Sequence, residues 1–285
     1  MIVITGATGH LGRLVISALL KAMPPSDIVA AVRNVEKAKD LGAMGIQVRI
    51  ADYNTPSLWD GALEGADKVL LISSSEVGQR ARQHRSVIDA ARRAKVKLLA
   101  YTSILRAETS PIGLAAEHKE TEASIRASGV PYVFLRNSWY TENYTMGIPG
   151  ILAKGAMYGC AGDGRVSSAA RTDYAEAAAA VLTLPDQAGR IYELAGDTAH
   201  SHAEFAEELG RRTARTIGYV NLTEAEYREA LKKAGLPEAY AALIADSDAA
   251  VSKGALFDDG RALGRLINRP TTPMAASIAE ALAVK

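Results

Sequence analysis

Short, nearly continuous apolar runs recur through the first half of the chain, at Ile2–Thr5, Ile28–Val32, Val48–Ala51, Val69–Ile72, Leu98–Tyr101 and Tyr132–Leu135. A run this short without polar alternation reads as a strand covered on both faces. Between the runs lie longer stretches whose apolar residues fall three and four apart. Leu11–Ala22 carries them at positions 11, 14, 15, 18 and 19. Arg80–Lys95 keeps Val87, Ile88 and Ala91 on one side and Arg85, Arg92 and Arg93 on the other, and Ala115–Ser128 is a third such stretch. Pro24-Pro25 stops the first of them, because proline cannot continue a helix. Strands alternating with helices over short connections predict an α/β fold with a doubly wound parallel sheet, the Rossmann arrangement, buried on both faces by right-handed crossovers.

The pattern changes after about residue 138. Aromatic residues and glycines cluster between Trp139 and Gly164, then Tyr174–Leu182 reads as a helix and Ile191–Ala195 as a strand. The rest reads as helices at His202–Arg212, Glu224–Lys233, Glu238–Ala245 and Met274–Ala283. The expected organisation is a main domain of residues 1–137 plus about 174–197, and a smaller, mainly helical C-terminal lobe of about 138–173 and 198–285. That lobe is expected to close over the carboxyl edge of the sheet and to form the substrate side.

Composition narrows the class. Of 285 residues, 48% are apolar and 23% charged, which suits a globular chain and argues against disorder. The net charge of +1 supplies no whole-protein attraction for nucleic acid or an anionic membrane. The arginines of the 80–93 stretch read as a solvated face. The single cysteine, Cys160, rules out an intramolecular disulfide, fits a reducing compartment, and has no activating neighbour, so a packing or surface role is expected. The chain enters an apolar run at once, without the basic and apolar regions of a signal peptide, and no apolar run approaches the roughly 18 residues of a membrane span. The expectation is a cytoplasmic protein with no membrane insertion and no nucleic-acid partner; homo-oligomerisation is left open.

The sharpest motif is Thr5-Gly6-Ala7-Thr8-Gly9-His10-Leu11-Gly12, which follows the first strand and opens the first helix. Gly6 permits the tight turn, Gly9 lets a pyrophosphate approach the backbone, and Gly12 lets helix and strand pack closely. Unpaired N–H groups at the helix start then face the phosphates. Gly6, Ala7, Thr8, Gly9, His10 and Leu11 are therefore candidate cofactor contacts. The second strand ends in Val32-Arg33-Asn34, without the acidic residue that holds the ribose hydroxyls of NAD. The Arg33 guanidinium suits a 2′-phosphate instead, so NADPH is the expected cofactor. Asp52 follows the third strand, where an adenine-edge contact and an ordinary turn aspartate both remain open. Ser73-Ser74-Ser75 follows the fourth strand, where small hydroxyl residues let a dinucleotide pass close to the backbone.

With these segments in place the chain resembles the NmrA-like atypical short-chain dehydrogenases/reductases, and is similar to their quinone-reducing members. The resemblance rests on Ile4–Gly9, Val32-Arg33-Asn34, Leu70–Arg80, Ala100-Tyr101-Thr102-Ser103, Leu135–Tyr140, Tyr192–Asp197 and Asp246-Ser247-Asp248, and so spans essentially the whole chain. It implies two-electron reduction of a quinone by NADPH, with Gly6–Leu11, Arg33 and Ser73–Ser75 on the cofactor. It also implies that Asn137, Ser138, Trp139, Tyr140, Thr141 and Glu142 shape the quinone side. His10 departs from the glutamine expected in this group; its backbone can serve the phosphates equally well.

The substrate-side residues carry their own reading. Ordinary short-chain dehydrogenases pair Tyr with a Lys four residues later, and none of the eleven tyrosines here has one. Reducing a carbonyl to an alcohol needs a positioned proton donor. A quinone is a better electrophile and can be reduced by positioning against a nicotinamide, with solvent supplying the proton. Trp139 and Tyr140 can stack on a flat ring, and Asn137 can hydrogen-bond its carbonyl. His118 and Glu122 share a helix face at i, i+4, either as a proton-handling pair near the substrate or as a stabilising surface pair, with His118 the candidate catalytic residue. No spacing of His, Cys, Asp and Glu makes a metal site, no flavin is indicated, and no Gly-x-Ser-x-Gly is present. Two further readings remain: a cofactor-sensing regulator without turnover, and a reductase of a dye, an enone or another conjugated acceptor.

Overall fold

The structure is a computed structural model and describes residues 1–283. In chain order the first elements are β1 (Ile2–Ile4), α1 (His10–Leu19), β2 (Ile28–Val32), α2 (Lys39–Ala43), β3 (Gln47–Ile50), α3 (Leu58–Ala62), β4 (Lys68–Leu71), α4 (Arg80–Arg93), β5 (Leu98–Ile104), α5 (Ala115–Ser128) and β6 (Tyr132–Asn137). They are followed by α6 (Glu142–Thr145), α7 (Ile148–Lys154), β7 (Ala156–Gly159), α8 (Arg171–Thr183), β8 (Ile191–Leu194), α9 (His202–Thr213), β9 (Gly218–Asn221), α10 (Glu224–Lys233), α11 (Glu238–Val251), α12 (Ala262–Leu266) and α13 (Met274–Ala283). Among the described residues no helix is long and apolar enough to cross a membrane.

The chain forms two compact units. The first comprises Met1–Ala107, Ala116–Asn137 and Arg171–Glu193; the second comprises Glu108–Ala115, Ser138–Ala170 and the chain from Leu194 onward. A seven-stranded sheet of order β3-β2-β1-β4-β5-β6-β8 organises the first unit. From β3 to β6 its pairs are parallel, with Val3 opposite Val29 and Val69, Leu70 opposite Ala100, and Tyr101 opposite Phe134. The strand order reverses direction between β1 and β4. In an open α/β sheet that switch point leaves a crevice at the carboxyl ends of the strands, where ligands bind.

The apolar runs became strands because helices cover both faces, except at β3, the sheet edge, whose residues are exposed or half-buried rather than covered as expected. Val3, Val29, Val69, Leu71, Leu99, Tyr101 and Phe134 form one core with Trp59, Leu63, Val87, Ile88 and Ile125 from α3, its flank, α4 and α5. On the other face α1 packs along α8. Helix α8 is buried nearly all round through Ala175, Ala177, Ala178, Val181 and Leu182. That explains why it carries so little amphipathic contrast.

Strand β5 runs three residues beyond the apolar stretch that marks it in the sequence. Its polar end is satisfied by tertiary contacts: Thr102 Oγ1 accepts from the Ser73 N–H at 2.9 Å, and Ser103 Oγ donates to Glu122 Oε1 at 2.7 Å. The second unit holds a two-stranded parallel sheet of β7 and β9, which the expectation of a mainly helical lobe did not include. Helix α9 packs on it, and Ile148, Met157, Phe205, Leu209, Ile217 and Ile278 make the local core. Helix α9 starts on a capping box in which Ser201 and Glu204 exchange side-chain-to-backbone bonds at 3.1 and 2.8 Å.

Candidate functional site

A cavity of about 350 Å³ opens at the switch point of the first unit. Its floor is the turn after β1. Gly6 takes φ +57°, a left-handed conformation that costs glycine nothing. The Gly9 N–H closes the turn on Gly6 O at 2.9 Å. A Cβ at Gly12 would lie 2.5 Å from Gly6 O and 2.8 Å from Ala7 Cα, so α1 can pack this closely only on glycine. Gly9, with an extended backbone at φ −76° and ψ 168°, precedes α1, and no side chain caps the helix there. The first N–H groups of a helix have no carbonyl one turn earlier, so they offer donors and a partial positive charge to an anion.

Thr5 is fully buried behind the turn. The Tyr53 hydroxyl lies 2.6 Å from both Thr5 Oγ1 and Ile72 O, and Thr5 Oγ1 accepts from the Ile72 N–H at 2.9 Å. This triangle ties the loops after β1, β3 and β4 together. Burial pushes the Tyr53 hydroxyl above its ordinary range, so it stays protonated.

The serine run forms the opposite wall. The Ser74 N–H donates to His84 Nε2 at 2.9 Å, Arg80 Nε donates to Ser74 O at 2.5 Å, and the Ser73 N–H is held by Thr102. Since His84 Nε2 accepts, Nδ1 carries the proton and donates to Thr121 Oγ1 at 2.9 Å. Burial, reinforced by the Arg80 charge, pushes His84 down to about 3 and keeps it neutral in that role. At the cavity mouth Arg33, largely exposed, lies 3.7 Å from the Glu76 carboxylate, and Glu76 also accepts from Gln83 Nε2 at 2.7 Å.

Of the residues expected on the cofactor, Gly6, Thr8, Gly9, His10, Leu11, Arg33, Ser73, Ser74 and Ser75 line this cavity, and Ala7 is fully buried beneath it. Asp52 lines it too, while its Oδ1 caps its own turn by accepting from the Asn54 N–H at 2.9 Å. Tyr53, Trp59 and Glu76 belong to the wall but gave no local sequence signal. His84 and Arg80 support the serine run from α4; Arg80, expected with the other arginines on a solvated face, is buried instead because its guanidinium holds the Ser74 carbonyl.

His118 and Glu122 are not a surface pair: both are buried, and they have different partners. His118 Nδ1 lies 2.8 Å from the Tyr101 hydroxyl, and burial pushes the ring down to about 3. Glu122 accepts from Ser103 Oγ and from Arg136 Nε and Nη2, at 2.9 and 2.7 Å, and Arg136 Nη1 reaches Glu193 at 2.9 Å. The structure does not bring His118 to the cavity wall.

The second unit contains a separate cavity of about 420 Å³. Trp139 lines it with Tyr144, Met146, Met157, Tyr227, Tyr240, Leu243 and Ile244, and its polar residues are Asn143, His202, Ser247 and Asp248. Of the expected substrate segment only Trp139 is on this wall. The Tyr140 backbone bridges to Ala169; Thr141 Oγ1 pairs with Ser168 Oγ at 2.9 Å. Ser138 Oγ donates to Leu256 O at 3.4 Å; Glu142 begins α6. Asn137, in the first unit, ends β6, and its carbonyl accepts from the Leu105 N–H at 2.9 Å. His202 Nε2 and Asp248 Oδ1 are 2.7 Å apart, and Asp248 Oδ2 accepts from the Cys160 N–H at 2.5 Å. Burial, with the Asp248 charge second, pushes the Cys160 thiol up to about 12, which leaves it a packing residue.

A profile of NAD(P)H-binding proteins matches residues 6–185. Quinone oxidoreductase 2 of Escherichia coli (strain K12) is 53% identical over 278 residues, 98% of this chain and 97% of the relative. Among solved structures, an NADPH-dependent quinone oxidoreductase from Escherichia coli, in complex with NADPH, superimposes with a TM-score of 0.97 at 52% identity, covering 99% of this chain and 100% of the other. A triphenylmethane reductase from Citrobacter sp., in complex with NADP(H), gives 0.95 at 38% identity over 99% of this chain and 100% of the other.

Proposed function

This chain belongs to the NAD(P)H-binding family, and from that premise we propose that it is an NADPH-dependent quinone oxidoreductase carrying out two-electron reduction. The observation that carries the reading is the close-packed glycine turn of the first cavity, whose wall includes both the helix start at His10 and Leu11 and the Arg33 side chain. The residues present suit a dinucleotide phosphate. The N–H groups of His10 and Leu11 hold the pyrophosphate, and Arg33 takes a 2′-phosphate in place of its partial pairing with Glu76. Ser73–Ser75, pinned by His84, Arg80 and Thr102, present small side chains to the rest of the cofactor.

Bound NADPH supplies the hydride. The protein positions and desolvates the reactants. Trp139 and its aromatic and methionine neighbours offer flat apolar faces for a conjugated ring. No Tyr–Lys pair is available as a proton donor, which suits an acceptor whose reduced anion is stabilised by its own ring. His118, neutral and held against Tyr101, is assigned a supporting role where α5 meets β5 rather than a catalytic one. A single buried cysteine and a reduced-nicotinamide reaction suit the reducing cytoplasm.

The test is a split between acceptor and cofactor. Trp139→Ala is expected to raise the quinone KM about tenfold while leaving the NADPH Kd unchanged. Equal loss of both, or no loss of either, removes Trp139 from the acceptor site. Because a triphenylmethane reductase shares the fold so closely, a dye of that class belongs in the acceptor panel. A higher kcat/KM for the dye than for any quinone overturns the substrate assignment.

A further inference from the structure

Most residues that line the second cavity are apolar or aromatic, and two of its polar ones carry atoms without partners. His202 is 3% exposed and Ser247 2%, and both line the cavity. Among the described residues, His202 Nδ1 and Ser247 Oγ are buried and make no hydrogen bond. Native proteins rarely leave such atoms orphaned, because each forfeits its solvation without compensation. A serine inside a helix can usually bond a backbone carbonyl one turn back. Ser247 does not, although it sits within α11.

The two atoms also have defined polarity. Asp248 Oδ1 lies 2.7 Å from His202 Nε2, and its other oxygen is engaged by the Cys160 N–H. A carboxylate accepts, so Nε2 donates, and in the neutral ring Nδ1 is left as a lone-pair acceptor. The Ser247 hydroxyl can donate. Two residues of the cavity wall therefore carry one acceptor and one donor, on a wall that Trp139, Tyr227 and Tyr240 also line.

We infer that His202 Nδ1 and Ser247 Oγ are the recognition pair for the ring oxygens of the acceptor, with Ser247 donating to a quinone carbonyl and His202 accepting from a ring hydroxyl. Asp248 is a positioning residue that fixes the histidine tautomer. This inference deepens the quinone reading and rests on it. Reduction converts a ring carbonyl, which only accepts, into a hydroxyl, which donates. The pair is thus matched to both redox forms of one ligand class, and His202 favours the reduced form.

The experiment is calorimetric binding without NADPH, so that affinity is read apart from turnover. The probes are menadione, 4-methoxy-1-naphthol, and 1,4-dimethoxynaphthalene, which replaces the O–H of the naphthol by O–CH3. Wild-type protein is expected to bind the naphthol about tenfold more tightly than the dimethoxy compound, the worth of one good hydrogen bond. His202→Gln keeps a donor where Nε2 stood, toward Asp248, but has no atom equivalent to Nδ1, and is expected to erase that difference. Ser247→Ala is expected to weaken menadione about five- to tenfold while leaving the Tm equal or higher, because its hydroxyl has no partner to lose in the free protein. A purely structural serine would instead lower the Tm.

Equal affinity of wild-type protein for the two naphthalene probes overturns the inference, as does wild-type menadione affinity in Ser247→Ala. If those results accompany normal quinone turnover, the quinone reading survives and the recognition pair does not. Selective naphthol binding, lost in His202→Gln, without turnover of any quinone supports the pair and sinks the reductase reading. Absence of binding by every probe sinks the pair as well.

Discussion

Arg33 is the residue on which the choice of nucleotide turns. Its guanidinium is largely exposed and is only loosely paired with Glu76 at 3.7 Å, so it can turn to a phosphate at little cost. A charge-assisted bond in so open a position is screened, which places its worth at the lower end of the usual range. Arg33→Ala should therefore weaken NADPH about tenfold and NADH by much less, measured as the two Kd values. Equal losses would remove the 2′-phosphate contact. Arg33 was legible in the sequence because a strand end and a fixed distance from the glycine turn locate it. Tyr53, Arg80 and His84 were not. Tyr53 acts through Thr5, 48 residues away, and Arg80 and His84 act through the backbone of Ser74, across a loop whose path their helical spacing does not reveal. His118 and Glu122 mislead for the converse reason: helical spacing puts them on one face, but it does not say that the face is buried or that Tyr101 and Arg136 take them separately.

Among the elements, the β1–α1 junction carries the most stringent geometry. The carbonyl of Gly6 and the Cα of Ala7 are backbone atoms and cannot swing away from a new Cβ at Gly12. Gly12→Ala should destabilise the protein by about 1–3 kcal/mol through overpacking, seen as a lower Tm, and should reduce NADPH affinity as well. An unchanged Tm would mean that α1 does not pack on the turn as described. Strands β1, β2 and the apolar parts of β4 and β5 were readable because they are buried on both faces and hence run without polar alternation. Strands β7 and β9 were not. Ala156–Gly159 and Gly218–Asn221 are short, contain glycine, and β9 is mostly exposed; they become strands only by pairing with each other across about sixty residues. Helix α11 continues past Ala245 to Val251 through Ser247 and Asp248, whose polar side chains face a cavity and so break the expected apolar pattern.

The whole molecule carries a pH signature. His84 and His118 are held down to about 3 and His200 to about 4, each chiefly by burial. All three are neutral in the fold and titrate near 6.5 once exposed, so the unfolded chain takes up more protons as the pH falls. The stability they contribute is fully present above about pH 6.5 and is lost as the pH drops toward 3–4, at up to ~1.4 kcal/mol per pH unit for each histidine. The Tm should fall between pH 7 and pH 5; a flat profile would mean that these rings are protonated in the fold or reach solvent there. Most directly, the central claim is tested by following NADPH oxidation by purified protein, with and without a naphthoquinone and in the absence of oxygen. The expected result is slow oxidation alone, rapid oxidation on adding the quinone, one NADPH consumed per quinone reduced, and a lower kcat/KM with NADH. NADPH that binds tightly yet is not oxidised by any quinone would contradict it.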